Sequence, residues 1–341
     1  MSRRDVWETT TLAVDAPDAH IAAEGDRWLD ARSRPASDGG PPVTASMVPA
    51  ILGADRWRTP WRLWAETTGL VEAAPAGAPA RVGQALETPV MRLWAEEHAP
   101  DDVASVRSNG PRLWAHDTVD WMQATPDGWA TLTSGEIVPV EVKVTGSTPD
   151  RLTGRVRLQT GWQCAVTGPS RAIVICLAGT DLTWWWVDWP DTALGELVER
   201  VAAWRAAHLI RGDEPPPTAD DRQELTTLAA GGHSDTVAAG EQIAGLVDRA
   251  DRLRQVRDEA ADELRRVEAE LTTLIRQRGA RAASDGRRTV TVVTQTRRSL
   301  DQRALRADHP ELVEQYQREA ESHQLRWRAA RPGEGVDRPP F

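Results

Sequence analysis

The sequence almost lacks lysine. Lys and Arg together number 41 in 341 residues, and Lys143 is the single lysine. Asn, Tyr and Phe occur once each, as expected of a genome that avoids A/T-rich codons. Under that pressure a solvated lysine drifts to arginine with little penalty, so a lysine that persists suggests a task for a compact ammonium. Cysteine is scarce as well. Cys164 and Cys176 lie in apolar runs, which excludes a disulfide framework and a four-cysteine iron–sulfur cluster. The seven histidines are scattered without metal-ligand spacing. No apolar run is long enough to span a bilayer, and "MSRRDVWETTTLAVDAPD" has no apolar signal core. The expectation is a soluble, cytoplasmic protein with no membrane partner. An excess of basic charge is missing too: a net charge of −10 excludes a wholly basic nucleic-acid coat but leaves room for a local basic track.

Three regimes of sequence are present. Residues 1–42 form a polar N-terminal segment that closes on the loop "SRPASDGGPP". Residues 43–214 alternate compact helix and strand signals. Pro215, Pro216 and Pro217 end that block and open an expected linker over 215–236. The remaining residues, 237–341, begin with a long helix, roughly 237–279. There Leu246, Leu253, Ala260, Val267 and Leu274 recur every seven residues, as in a coiled-coil seam or one packed amphipathic face. Eight Arg against two Asp between 276 and 303 make a basic run suited to phosphate backbone or to a solvated linker. The run "TWWWVDWP" reads as an aromatic strand suited to packing into a core or, less commonly, to base stacking.

Within the central block, "EIVPVEVKV" alternates strictly. Val138, Val140, Val142 and Val144 face one way, and Glu141 and Lys143 the other. Upstream, "ATPDGWATLTSGE" brings in Asp127 at a Pro-Asp-Gly turn ahead of a hairpin, at a distance that can set it beside Glu141. Two carboxylates and a lysine converging on a cleft suit a divalent cation bound by oxygen, with an ammonium to position water. A buried setting is expected to lower the Lys143 pKa. The pattern Asp127, then Glu141-x-Lys143, resembles that of the PD-(D/E)xK nucleases. It implies an α/β, restriction-endonuclease-like mixed sheet flanked by helices, to which the heptad-spaced residues beyond 237 add a helical, coiled-coil-like extension.

Flanking motifs narrow the resemblance. "VTASMVPAILGADRWRTPWRLWAETTG", "GQALETPVMRLWAEE", "RLQTGWQCAVTG" and "WLDARS" occur in an order and spacing similar to the YqaJ-like viral recombinase family, relatives of phage lambda exonuclease. The likeness runs from about residue 28 to 212. It implies that Asp127, Glu141 and the Val142 backbone carbonyl bind Mg²⁺ or Mn²⁺, with Glu87 helping directly or through water. It further implies that Lys143 orients and helps deprotonate the attacking water, that Gln159 bonds the nucleophile or scissile phosphate, and that Gln163 packs or contacts DNA. Arg32 and Ser46 would clasp a terminal 5′-phosphate, although Ser46 reads equally as a helix N-cap. The implied function is metal-dependent 5′ to 3′ exonuclease action on linear duplex DNA in phage-type recombination, within a bacterial or phage-infected cell. Implied partners are DNA, a single-strand annealing protein and further copies of the chain. An endonuclease of the same fold, or a catalytically silent DNA-binding scaffold, are the alternatives.

Overall fold

The computed structural model describes residues 33–75, 77–110, 112–146, 152–231, 240–319 and 321–327. The chain divides into two compact units, Met1–Leu225 and Thr226–Phe341.

The first unit is built on a mixed sheet flanked by helices. Its five strands are β2 (Val103–Ser108), β5 (Gly128–Leu132), β6 (Ile137–Thr145), β7 (Arg171–Ala178) and β8 (Asp181–Asp188), hydrogen-bonded in that order. Neighbours are antiparallel except β6 and β7, which run parallel. A parallel pair needs a crossover, and the helix α4 (Gly154–Thr167) lies in that connection. Thr153 starts α4, its hydroxyl accepting from the Val156 amide at 3.4 Å, and Gly168 ends it at φ 99°, where only glycine is unstrained. A smaller sheet joins β1 (Val43–Thr44), β4 (Met122–Ala124) and β3 (Trp114–Ala115).

The period-two pattern of β6 divides its side chains as expected. Val138, Val140 and Val142 are buried with Val90, Met91 and Trp94 of the helix α3 (Ala78–Glu97). Each such apolar side chain contributes about 1.5–3 kcal/mol when removed from water. On the other side, α4 packs with the short helix α1 (Val48–Ile51) and with α5 (Asp191–Arg205), around Trp162, Val48 and Leu197. The tryptophans of β8 are packing residues. Trp184 meets Trp94 edge-on at 5.7 Å, and Arg171 stacks over Trp186 at 3.6 Å.

The loop "SRPASDGGPP" is fastened to the unit rather than loose. Buried Arg205 donates two bonds to Asp38, at 2.6 and 2.7 Å, and a third to the Pro41 carbonyl at 2.9 Å. The segment expected to be a linker also carries structure. The helix α2 (Pro60–Thr67) precedes α3 in the chain, and Thr59 at its N-cap donates to Asp221, while Arg62 pairs with Glu224. Asp221 in turn caps the turn that leads into α6 (Arg222–Ala230). The helical run stops at Ile210, before the three prolines, and the residues after them are not detached, because these polar groups hold Asp221 and Glu224 in place.

The second unit contains the helix α7 (Glu241–Gln277), a hairpin of β9 (Ala282–Ser284) and β10 (Thr289–Thr291), and the short helices α8 (Gln302–Asp308) and α9 (Pro310–Tyr316). The long helix is a single unbroken rod. Gly279, at φ 63°, lies just past its end.

Candidate active site

Register brings the first two carboxylates together. Gly128 pairs with Val140, so Asp127, one residue before β5, falls beside Glu141. The Asp127 amide donates to the Val140 carbonyl at 3.1 Å, and the Val142 amide donates to Asp127 Oδ2 at 2.7 Å. The carboxylate thus takes the place of the next ladder partner along β6. In a strand the N–H and C=O of one residue point to the same edge, so the Val142 carbonyl is directed to the Asp127 side as well. Gly128 has no positive φ. A Cβ there would lie 2.7 Å from the Arg107 carbonyl and 2.2 Å from Met91 Sδ, so close packing, and not turn geometry, accounts for this glycine.

Glu141 is 1% exposed and fully engaged. Its Oε1 accepts from Lys143 Nζ and from Gln159 Nε2 at 2.6 Å, and its Oε2 accepts from Gln163 Nε2 at 2.6 Å. Gln159 and Gln163 are four residues apart on α4, hence on one helix face. Gln163 is buried and holds Glu141 from within the protein. Its Oε1 has no partner.

The charges around this cluster oppose one another. Burial pushes the Asp127 carboxyl well above the usual range, and the charges of Glu141 and Glu87 push it further, against the pull of Lys143 and the Val142 amide. Glu87 on α3 is raised to about 7 by burial and by Glu141, with Lys143 opposing. At Lys143 burial works downward, but Glu141 and Asp127 outweigh it and hold the ammonium above its ordinary pKa. The expected fall of the lysine pKa is therefore reversed by the carboxylates packed against it.

Among the described residues, no three His, Cys, Asp or Glu side chains stand close enough to hold a metal by themselves. The donor set is instead two carboxylates and the main-chain carbonyl between them, all oxygen, with Glu87 within electrostatic range. Asp127 and Glu87, raised by burial first and by the charge of Glu141 next, are relieved by a divalent cation, and oxygen donors suit Mg²⁺ or Mn²⁺. The residues fit such an ion.

The remaining expected residues lie further out. Arg32 falls outside the described residues. Ser46 is exposed, its hydroxyl 3.2 Å from that of Thr44; Met47, not Ser46, is the N-cap of α1. Ser46 lines a cavity of about 620 Å³ together with Arg56, Trp57, Arg58 and Arg155. Lys143 lines a second cavity of about 470 Å³. Arg56, Trp57 and Arg155 line both. Trp57 is 73% exposed, with the Arg56 guanidinium 4.3 Å from its ring centre, and Arg155 is ion-paired to Asp55 at 3.0 Å. These three residues carry no spacing signal of their own, which is why the sequence reading passes over them. Gln163, by contrast, stands in the motif "RLQTGWQCAVTG", which implies that it packs or contacts DNA.

The match with known proteins falls on this same stretch. Residues 27–170 match the YqaJ-like viral recombinase domain. That YqaJ-like segment begins beside Trp28 and takes in Ser46, Glu87, Asp127, Glu141, Lys143 and both glutamines, in agreement with the motif resemblance. No curated protein matches the chain. Among solved structures, an alkaline exonuclease (LHK-Exo) from Laribacter hongkongensis is similar at 19% identity and a TM-score of 0.39, covering 67% of this chain and 98% of the exonuclease. Its complex with dAMP is similar at 17% identity and a TM-score of 0.38, with the same coverage.

Proposed function

We propose that the chain is a deoxyribonuclease dependent on Mg²⁺ or Mn²⁺, an exonuclease that degrades linear duplex DNA 5′ to 3′ in phage-type recombination. The observation that carries this reading is the convergence of Asp127, Glu141 and Lys143 on one strand edge within the YqaJ-like segment. The 3′ single strands left behind are the substrate for an annealing partner. Asp127, Glu141 and the Val142 carbonyl would hold the cation, with Glu87 contributing directly or through water. When bound, such a cation polarises the scissile phosphate and lowers the pKa of neighbouring water.

The chain's own groups supply the positioning. Lys143, kept as an ammonium by its carboxylate neighbours, donates a hydrogen bond that aims the attacking water. Gln159 steadies the water or a phosphate oxygen from α4, while Gln163 fixes the rotamer of Glu141 from behind. DNA enters along the cavities that share Arg56, Trp57 and Arg155, where guanidinium groups meet phosphate and the exposed indole offers a face to a base. Ser46, with Arg32, receives the terminal 5′-phosphate.

Linear duplexes labelled at the 5′ or the 3′ end, and a closed circle, test the reading. Mg²⁺ should release 5′-terminal nucleotides from phosphorylated linear ends and leave the circle intact, and Ca²⁺ should support binding without cleavage. Full activity in excess EDTA, or rapid nicking of the circle, would show the assignment to be wrong.

A further inference from the structure

Among the described residues, the helix α7 carries an apolar stripe that is largely exposed, with Trp327 of the tail stacked at 3.5 Å on Arg254 at its flank. Ile243, Leu246, Leu253, Leu264, Val267 and Leu274 are between 43% and 60% exposed. They fall on heptad positions, with a at Ile243, Ala250, Arg257, Leu264 and Leu271, and d at Leu246, Leu253, Ala260, Val267 and Leu274. A seam of that period, about 47 Å long from Ile243 to Leu274 at the helical rise, is built to pack against another helix. Acidic side chains outnumber basic ones along α7, which disfavours DNA as the occupant.

The charges flanking the seam choose the partner and its direction. In a parallel pair of α7 helices, Arg257 would sit against the Arg257 of the second copy inside the seam. Position g would face position e of the next heptad, setting Arg249 on Arg254 and Glu263 on Glu268. Like charges meet at every one of these contacts. In an antiparallel pair each a position faces a d position. Ile243 then lies against Leu274, Leu253 against Leu264, and Arg257 against Ala260, with the whole helix in register. Position g now faces g, so Arg249 meets Glu263 and Glu270 of the second copy. Arg257 keeps its ion pair to Asp258 on its own helix at 2.7 Å. Among the described residues, Arg249 and Glu270 have no ion pair within the chain.

We infer that α7 is a homodimerisation element that pairs antiparallel with the α7 of a second copy. The pairing does not depend on the nuclease reading, since it concerns other residues and is read by mass. Sedimentation and light scattering of the full chain at high micromolar concentration should give an assembly whose mass halves in the Leu253→Asp/Leu264→Asp variant. Both positions are exposed in the single chain, so its helix content by circular dichroism should persist. Arg249→Glu should weaken the association about tenfold, and Glu263→Arg/Glu270→Arg in the same chain should restore it. A monomeric wild type, or a mass unchanged by the two aspartates, overturns the dimer. Tighter association of Arg249→Glu overturns the antiparallel direction, because a parallel pair is relieved by that change.

Discussion

At the residue scale, the surviving lysine is best understood through its surroundings. Lys143 Nζ donates to Glu141, and both Glu141 and Asp127 favour its charged form. A group held charged acts as a donor that aims water, and a compact ammonium does so from a defined point. Arginine in its place keeps the charge but spreads it over a broad planar fork, which displaces the water and crowds Gln159. Misplacing a reacting group by an ångström costs about 10²-fold. Lys143→Arg should therefore lose roughly that factor in single-turnover cleavage, with DNA affinity and thermal stability retained. Turnover near the wild-type rate would reduce Lys143 to a surface cation. The Glu141–Lys143 pair is legible in the sequence of β6 because strand geometry has a strict period of two. Gln163 was harder to place, since a glutamine on a helix is solvated far more often than buried. The motif sets it beside Gln159, and its contact with Glu141, made in three dimensions, gives it a place.

At the scale of the element, the β5–β6 pair acts as the frame of the site, and its tightest point is Gly128. The Pro-Asp-Gly sequence reads as a turn, yet Gly128 lies in β5 against the Arg107 carbonyl of β2. A backbone oxygen cannot swing aside as a side chain does, so any Cβ there must move a strand. Gly128→Ala is expected to cost about 1–3 kcal/mol in urea unfolding. Cleavage should fall further than stability does, measured where the variant is still folded, because the shifted residue adjoins Asp127. A variant with wild-type stability and rate would show that β2 and β5 have slack. The same element explains which parts of the fold were legible. Strand alternation and the valine face are local patterns, whereas the holding of 215–225 by Thr59 and Arg62 depends on partners some 160 positions away in the chain. No local signal foretells such partners, and prolines there read naturally as a break.

At the scale of the whole molecule, the candidate site and the heptad seam lie in different units. Asp127, Glu141, Lys143 and both glutamines belong to the first unit, and the heptad seam and Arg-rich segment to the second. Asp221 is 2% exposed and Glu224 bonds Arg62, so the first unit needs the chain at least through the start of α6 to satisfy Thr59 and Arg62. A chain ending after about residue 235 retains those groups and sheds α7. It should cleave short duplexes at a rate close to that of the full chain, because none of the site residues is removed. On long duplexes it should release fewer nucleotides per binding event, since the loss of association by α7 lowers the effective concentration of a second nuclease unit near the same DNA. Raising protein concentration should recover that loss only in part, while fusing an unrelated antiparallel dimerisation helix at residue 235 should recover it. If the shortened chain folds, judged by its near-ultraviolet tryptophan signal, yet cannot cut short duplexes even in Mg²⁺, then the second unit takes part in the chemistry and the division of labour drawn from the two units is wrong.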